Sequence, residues 1–230
     1  MRKLITISIG LSLCLASSTA LVAAAPEARF LPMAETAAEV LIPTPPVRQS
    51  QAEALEFARL RALIANTSAE RLAQADADGA HEDPTVFNEA LGRDLTKLPA
   101  TLALLKAIQD ETELVVDAAK LHFNRPRPYT IDPALPHCGK GAGKFKGYPS
   151  GHSGFSYSVG WALARLDPAH APAVLARAQD YALSREICGV HFHSDTEASH
   201  VIGTFIADRM LADPRLTTQV SAARAELASQ

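Results

Sequence analysis

The sequence predicts a single domain built from α-helices alone. Apolar residues recur three or four positions apart along most of the chain, which is the spacing of a buried helix face. No segment alternates apolar and polar residues as a half-buried strand does, and no internal repeat is present. With 230 residues, of which 47% are hydrophobic, the chain can bury a core of its own.

The first 25 residues have the features of a secretory signal peptide. A basic start is followed by an apolar run at residues 4–16, too short to span a membrane, and by a zone of mainly small residues at 20–25, with cleavage expected near residues 23–25. This pattern predicts a periplasmic or secreted protein. No later stretch reaches about 18 uninterrupted apolar residues, so stable membrane insertion is not expected.

Cleavage would change the charge balance. The whole chain has 22 Lys and Arg residues against 25 Asp and Glu residues, and loss of Arg2 and Lys3 takes the net charge from −3 to −5. Nonspecific nucleic-acid binding requires a basic surface, so this class of function is not expected. A locally cationic pocket remains compatible with the balance.

The chain after the signal peptide begins with a proline-rich arm at residues 26–51, which shows no sustained period and is predicted to be extended. Helical spacing begins at residues 52–65, and Thr67 with Glu70 predicts a capping box for a short second helix. Residues 76–79 faintly resemble a calcium loop but lack its flanking ligands, and they are interpreted as a solvent-exposed turn.

The middle of the chain predicts one short and one long helix. Asp83 and the proline after it are a good helix start, and Gly92 is a natural stop. Apolar residues then follow helical spacing through residues 98–119, so that this helix carries Lys120 near its end. The prolines within residues 124–128 must end it.

The rest of the chain predicts a loop and four more helices. Residues 129–148 are rich in glycine and lysine and form the loop. Helical spacing returns in residues 153–166, 168–184 and 193–210, and in a last segment that runs from residue 213 or 214 to 228. The helical domain is therefore expected to span residues 52–230.

Two cysteines, Cys138 and Cys188, remain after the signal peptide. An exported protein meets an oxidising compartment, so a disulfide is the natural hypothesis, and two buried free thiols are the alternative. The bond would close a loop of about 50 residues and would stabilise the fold by roughly 4 kcal/mol in the chain-entropy model.

Two polar clusters supply groups suited to a phosphate. Lys120, at a helix end, and Arg127, in the rigid turn after it, can point into one pocket. Ser150 and Gly151 precede a helix whose first amides can bind an anion, and His152 is placed to protonate a leaving oxygen. Each cluster alone is equally typical of a structural helix end or helix cap.

A third cluster supplies a cation, Arg185, and a histidine with a carboxylate. His191 and Asp195 are four residues apart, and an Asp that orients an imidazole leaves its other nitrogen free to attack. A zinc site at His191, His193, Asp195 and His200 is a competing interpretation. Surrounding cations would oppose a dication, and we expect no metal there.

Together the clusters match a family pattern: Lys, six residues, Arg-Pro; then Pro-Ser-Gly-His; then Ser-Arg, five residues, His, three residues, Asp. They occupy residues 120–128, 149–152 and 184–195, with every fixed position filled. The chain therefore resembles the type 2 phosphatidic acid phosphatase superfamily over roughly residues 52–210. The exported chain, its length and residues 147–153 further resemble the bacterial class A nonspecific acid phosphatases. Gly147 and Ser153 depart from the usual signature of that class, which bears on subclass and substrate range.

The resemblance implies a helical bundle that hydrolyses phosphate monoesters of broad range without a cofactor and with an acidic optimum. His191 would attack phosphorus to form a phosphohistidine, with Asp195 orienting it and His152 serving as acid and then base. The phosphoryl oxygens would be held by the groups already described: Lys120, Arg127, Ser150, Gly151 and Arg185.

Other functions of the same superfamily provide the alternatives. Vanadium-dependent haloperoxidases look alike at this site but are typically much longer. A soluble lipid-phosphate phosphatase is a second alternative, and a phosphate-binding protein without catalysis would not need both histidines and Asp195. Relatives often associate, so the resemblance also allows a homo-oligomer.

Overall fold

The computed structural model describes residues 30–139, 143 and 145–229. The predicted signal peptide at residues 1–25 lies outside the described residues, as do residues 26–29 of the predicted arm and two lysines of the predicted loop, Lys140 and Lys144. The described part of the chain is helical and contains no strand, which confirms the all-α class.

The helices of the described residues are α1 (Met33–Thr36), α2 (Ala38–Leu41), α3 (Gln51–Ala65), α4 (Ala69–Ala80), α5 (Asn88–Leu91), α6 (Pro99–Phe123), α7 (Pro128–Ile131), α8 (Gly151–Leu166), α9 (Ala171–Ile187), α10 (His193–Leu211) and α11 (Thr217–Ala228). The longer helices follow the order predicted from the spacing of apolar residues, whereas the short helices α1, α2 and α7 lie in segments predicted to be extended or looped. Short 3₁₀ turns precede α5, α6 and α11, at Pro84–Phe87, Leu95–Lys97 and Pro214–Leu216.

Helix α8 lies at the centre of the fold and packs against α6, α9 and α10. Nearly all of its residues are buried, including the serines on its first three turns. Burial of these polar side chains is tolerated because each finds a partner, as when Ser156 Oγ donates to the carbonyl of Ala178 at 3.1 Å. The N-terminus of α8 is thereby held rigidly within the core.

Helix α4 corrects two predictions. Its N-cap is Ser68, whose side chain accepts from the amide of Arg71, rather than Thr67. The predicted turn at residues 76–79 lies inside the helix, and Asp78 is buried. Asp78 accepts from Arg177 at 2.6 Å and from Ser184 at 2.6 Å, and these partners on α9 are what make an acidic helix turn stable inside the protein.

The predicted helix boundaries in the middle of the chain are confirmed. Asp83 caps a 3₁₀ turn that continues into α5, and Gly92 ends α5 in the left-handed region at φ 67°. Helix α6 carries Lys120 in its last turn and ends at Asn124, which also adopts a left-handed conformation. The chain then turns through residues 125–128 towards the cleft described below.

The N-terminal arm lies on the helical body and contains α1 and α2, so it is not wholly extended as predicted. Leu31, Ala38 and Ile42 are buried in the main core. The amides of Phe30 and Leu31 both donate to the buried carboxylate of Glu111 at 2.9 Å. These contacts join the arm to the middle of α6.

Cys138 and Cys188 form the expected disulfide, with their Cα atoms 4.9 Å apart. The amide of Cys138 also donates to the carbonyl of Cys188 at 3.0 Å. The bond attaches the loop before α8 to the end of α9. Within the described residues, no helix is both long enough and apolar enough to cross a membrane.

Candidate active site

The three polar clusters meet around one cleft of about 360 Å³. The end of α6 and the turn after it supply one wall, the start of α8 a second, and the junction of α9 and α10 a third. Of the predicted site residues, Lys120, Arg127, Gly151, His152 and His191 line the cleft directly. The remaining three, Ser150, Arg185 and Asp195, are buried next to them.

His191 sits at the base of the cleft and is only 2% exposed. Its Nδ1 lies 2.7 Å from the carbonyl oxygen of Gly147, an acceptor that requires the proton to be on Nδ1. Its Nε2 lies 3.0 Å from Nη1 of Arg127 and therefore presents a lone pair. Burial, and then the charges of Arg127 and Arg185, hold the pKa of His191 well below its usual range.

The predicted partner of His191, Asp195, is close but does not make the shortest bond to the ring. Asp195 Oδ2 is 3.4 Å from Nδ1, and the Gly147 carbonyl is nearer. Asp195 accepts instead from the amide of Phe192 at 2.7 Å and from Arg125 at 2.5 Å. The imidazole is thus oriented jointly by a backbone carbonyl and by a buried carboxylate.

Arg125 is a site residue that the sequence analysis missed. It is 4% exposed and joins Asp195 to Glu56 on α3, with a bond of 2.5 Å to each carboxylate. Its guanidinium also lies 4.4 Å from the ring centre of Phe192. Although burial opposes it, the two carboxylates raise the pKa of Arg125. A third cation in a proline-rich turn was the only sequence signal for this role.

The negative charge of the buried Asp195 carboxylate depends on Arg125. Burial raises the pKa of the Asp195 carboxyl to about 7, and Arg125 and the amide of Phe192 oppose that rise. The carboxylate is fully buried, so its charge is stable only while these donors remain in place.

His152 lies at the edge of the cleft, against α4 and the segment that follows it. Its Nε2 is 3.2 Å from the carbonyl oxygen of Gly79, and its Nδ1 is 3.4 Å from Glu82. Burial, followed by the charge of Arg185, lowers the pKa of His152 to about 3. Without a ligand the imidazole is therefore neutral at mildly acidic pH.

Lys120 and Arg127 supply positive charge to the cleft as predicted. Lys120 Nζ pairs with Asp117 at 3.1 Å, one turn earlier on α6. Arg127 donates to the carbonyl of Val190 at 3.2 Å and reaches His191, and burial lowers its pKa. Gly151 permits the approach of Lys120, because a Cβ at that position would lie 3.0 Å from Nζ.

Arg185 is buried, with 8% of its surface exposed, and two of its nitrogens, Nε and Nη1, have no hydrogen-bond partner among the described residues. Its guanidinium is packed against Gly79, where an added Cβ would overlap Nη1. Its charge lowers the pKa of both His152 and His191. An unpaired buried guanidinium is costly, and an anion with several acceptor oxygens would satisfy it.

Ser150 caps α8 through a long contact of 3.4 Å from the amide of Ser153 to its Oγ. Its own amide donates to the carbonyl of Asp195 at 3.1 Å, and its carbonyl accepts from Ser199 at 2.7 Å. These bonds attach the start of α8 to α10. The first amides of α8 have no partner within the helix and carry its positive dipole end, which favours an anion beside Gly151.

The structure does not bring the candidate zinc ligands together. His193 Nδ1 lies 3.0 Å from Glu186, and the His200 ring stacks on Tyr157 with centroids 4.1 Å apart. Only His191 lines the cleft. In the described residues, donor atoms come within metal-binding reach of one another at Asp76, Cys138 and Cys188, and the two cysteines there are joined in the disulfide.

Residues 95–215 match the PAP2 superfamily. The match covers more than half of the chain and includes α6 to α10, which carry all three clusters. The chain belongs to this superfamily. The PAP2 match begins after α4, so Gly79 and Glu82, which contact His152, and Glu56, which pairs with Arg125, all precede it.

Curated relatives of this PAP2 chain have consistent names. An acid phosphatase of Zymomonas mobilis is 34% identical over 139 residues, which cover 58% of this chain and 52% of the relative. A non-specific acid phosphatase of Providencia stuartii is 28% identical over 72% of this chain and 70% of its own length. A non-specific acid phosphatase of Salmonella typhimurium is 26% identical over 67% of this chain and 65% of its own. The chain thus spans between 52% and 70% of the length of these relatives.

Proposed function

We propose that this protein is an acid phosphatase that hydrolyses phosphate monoesters of broad range through a phosphohistidine intermediate. One observation carries the proposal: His191 is buried and neutral, and its unprotonated Nε2 faces a cleft lined with cations. A neutral imidazole beside fixed positive charges is equipped to attack an electron-poor phosphorus. The names of the curated relatives support the same activity.

In the first step Nε2 of His191 attacks phosphorus, and the bond from phosphorus to the ester oxygen breaks. His152 gives a proton to the departing alkoxide, which leaves as the alcohol. The attacked ring becomes positively charged, and the Gly147 carbonyl and the Asp195 carboxylate, both close to Nδ1, stabilise it.

In the second step water attacks the phosphohistidine. His152, now neutral, accepts a proton from the water, the bond from phosphorus to Nε2 breaks, and inorganic phosphate is released. Throughout, Lys120, Arg127 and Arg185 would neutralise the charge on the phosphoryl oxygens, with the first amides of α8 as further donors. We propose that these fixed cations make a metal ion unnecessary.

Binding of the substrate would raise the pKa of His152 and so favour the protonated ring that the first step requires. Three cations and burial hold the pKa of the free His152 low. A bound phosphate ester brings negative charge into the same cleft, and an opposite charge nearby favours the protonated ring. This linkage supports an optimum at acidic pH, where uptake of that proton is easiest.

We further propose export to the periplasm or the medium. The signal-peptide pattern at residues 1–25 supports export, and the disulfide is consistent with an oxidising compartment. Association into a homo-oligomer is a proposal that rests on the family resemblance alone, and light scattering on the purified protein would test it.

The deciding experiment is hydrolysis of p-nitrophenyl phosphate by the purified protein at about pH 5 to 6, with and without EDTA. We expect activity that resists EDTA and falls at least about a thousandfold in His191→Ala, because the proposed nucleophile is then missing. Protein denatured at alkaline pH, at which the bond from phosphorus to an imidazole nitrogen is stable, should carry label from a ³²P-ester on His191. Activity that survives in His191→Ala, or that EDTA abolishes, would refute the mechanism.

A further inference from the structure

The wall of the cleft formed by α6 changes from positive to negative charge with distance from the phosphate site. One face of α6 lines the cleft with side chains three or four residues apart, and its residues change in character along the helix. Lys120 is at the end nearest His191, Asp117 follows, and Glu113 and Gln109 lie farther out. Glu82 completes this acidic wall from the segment after α4.

The orientation of a substrate in this cleft is determined by its phosphoryl group. Arg185 carries buried, unpaired nitrogens, and Arg127 and Lys120 converge beside His191, so the phosphoryl group belongs at that end. The alcohol must then extend along α6 past Asp117 and Glu113. With a rise of about 1.5 Å per residue, Asp117 is about 4.5 Å and Glu113 about 10 Å from Lys120 along the helix axis.

The carboxylates of this wall differ in how far they are neutralised. Asp117 already pairs with Lys120, and Glu82 lies beside His152. Burial, and then the nearby charge of Glu113, raise the pKa of Glu82. Glu113 is exposed and has no hydrogen bond or salt bridge to any residue that the structure describes. It is the carboxylate most available to a ligand.

The rest of the lining is Lys146 and two apolar residues. Lys146 belongs to the cationic part of the cleft, because its side chain lies beside Gly143, whose carbonyl accepts from Arg127 Nε at 3.3 Å. Val116 and Phe155, both buried, form the floor between the cationic and acidic parts of the cleft. An alcohol that fits must therefore combine a short apolar body with a group that carboxylates attract. Additional negative charge on the alcohol would be repelled by Glu113 and Asp117.

From these features we infer that the cleft favours phosphate monoesters whose alcohol carries an ammonium group close to the ester oxygen. The phosphoryl group would bind the cations at the end of α6, and the ammonium group would lie between Asp117 and Glu113 on the same helix. This inference rests on the proposed phosphatase function and assigns Glu113 as a residue that determines specificity.

Two esters of equal shape isolate the effect of charge. Phosphocholine and 3,3-dimethylbutyl phosphate differ only in that a quaternary nitrogen replaces a quaternary carbon. We expect kcat/KM to be about tenfold higher for phosphocholine, the effect of one or two partly exposed ion pairs. The preference should shrink at high ionic strength, because exposed charges are screened.

Variants of Glu113 test whether this residue determines the preference. In Glu113→Gln the ratio of the two kcat/KM values should fall to about twofold, and in Glu113→Lys it should fall below one. Glu197→Gln is the matched control, because Glu197 is an exposed glutamate that lines a separate cavity with Tyr157 and His200. That variant should keep the wild-type ratio.

The outcomes separate this inference from the proposed function. If p-nitrophenyl phosphate is hydrolysed but the two esters are equivalent, the inference fails and the phosphatase assignment stands. A ratio that is unchanged in both Glu113 variants would overturn the role of Glu113, and faster hydrolysis of glucose 6-phosphate than of phosphocholine would overturn the preference for a cation. If no phosphate ester is hydrolysed, the proposed function fails and this inference fails with it.

Discussion

Arg125 shows how much of the site depends on a residue that never faces the substrate cleft. It does not line the cleft, yet it holds the buried Asp195 carboxylate beside His191 and ties it to Glu56 on a distant helix. Removing one member of a buried ion network leaves the others uncompensated, and this costs far more than an exposed pair does.

We therefore predict that Arg125→Gln lowers the free energy of unfolding by about 3 to 5 kcal/mol. It should also lower kcat at least about tenfold with little change in KM, because the orientation of His191 and not the phosphate contacts is lost. Arg125→Lys keeps the charge but not the fork that reaches two carboxylates, and should be intermediate. Guanidinium denaturation and steady-state kinetics measure both effects.

Arg61→Gln is the control for this prediction. Arg61 pairs with Asp132 at 2.8 Å, but its side chain is 57% exposed, so its loss should cost less than about 1 kcal/mol. Equal destabilisation by the two Gln variants, or a normal kcat in Arg125→Gln, would contradict the positioning role.

The lowered pKa of His152 predicts that the stability of the protein depends on pH. The pKa of His152 is about 3 in the folded protein, lowered from 6.5, so between pH 6.5 and 3 the unfolded chain binds a proton that the folded protein does not. Stability contributed by this group is present above pH 6.5 and is lost as the pH falls, by up to about 1.4 kcal/mol per pH unit.

Replacement of His152 should reduce the loss of stability at low pH. We predict that the unfolding free energy of His152→Gln falls less steeply between pH 6.5 and 4 than that of the wild type, as measured by urea denaturation at each pH. Inorganic phosphate should flatten the wild-type curve, since the anion favours protonation of His152. Parallel curves for the two proteins would show that His152 is not held neutral by the fold.

At the scale of elements, α4 has a role in the site that its distance along the chain does not suggest. The carbonyl oxygen of Gly79, in the last turn of α4, accepts a hydrogen bond from His152 Nε2 at 3.2 Å. The same residue leaves room for the guanidinium of Arg185. Asp78 holds the helix in this place through its bonds to Arg177 and Ser184 on α9.

We predict that Gly79→Ala separates activity from stability. A methyl group there would displace Arg185, and kcat/KM for a phosphate ester should fall about tenfold, the loss of one charge-assisted hydrogen bond. Stability should be unchanged or higher by up to about 1 kcal/mol, because alanine is the better helix former. Steady-state kinetics and thermal unfolding of one preparation provide both readings.

Gly92→Ala is the matched comparison. Gly92 has φ 67° with open space around the position of a Cβ, so alanine there costs about 1 kcal/mol of stability and leaves kcat/KM unchanged. If Gly79→Ala behaved like Gly92→Ala, the close packing of α4 on Arg185 would have no catalytic consequence.

At the scale of the whole molecule, the disulfide and the arm connect distant parts of the chain to the site. Cys188 lies between Arg185 and His191 along the chain, and its bond to Cys138 spans a sequence separation of 50. The arm is also connected to the site, because the hydroxyl of Tyr148 donates to the carbonyl of Pro43 at 2.5 Å. Tyr148 directly follows Gly147, whose carbonyl orients His191.

We predict that the double variant Cys138→Ser and Cys188→Ser loses about 4 kcal/mol of unfolding free energy, the chain-entropy value for a loop of this size. Its kcat should also fall, since the segment between Arg185 and His191 loses an attachment. Guanidinium denaturation measures the first effect, and wild type treated with a reductant under the same conditions is the comparison. An unchanged midpoint would show that the hydrogen bond between the two cysteine backbones suffices.

Much of this protein was determined by features that are local in the sequence. The 3.6-residue period of apolar residues predicted the longer helices, because a helix buries one face wherever it lies. Proline and glycine predicted the ends of α6 and α5, since backbone geometry there depends on single residues. The spacing of the three clusters predicted five residues that line the cleft and three that are buried beside it, but neither the acidic wall nor Lys146, Val116 and Phe155.

Only the tertiary structure decided what supports those residues. Arg125 meets Glu56 across 69 positions, and His152 meets Gly79 across 73. No periodicity or motif reports such pairs, because they depend on which helices pack together. The same reason explains the errors at residues 76–79 and in the arm: charged or proline-rich segments read as exposed until α9 and α6 provide buried partners for them.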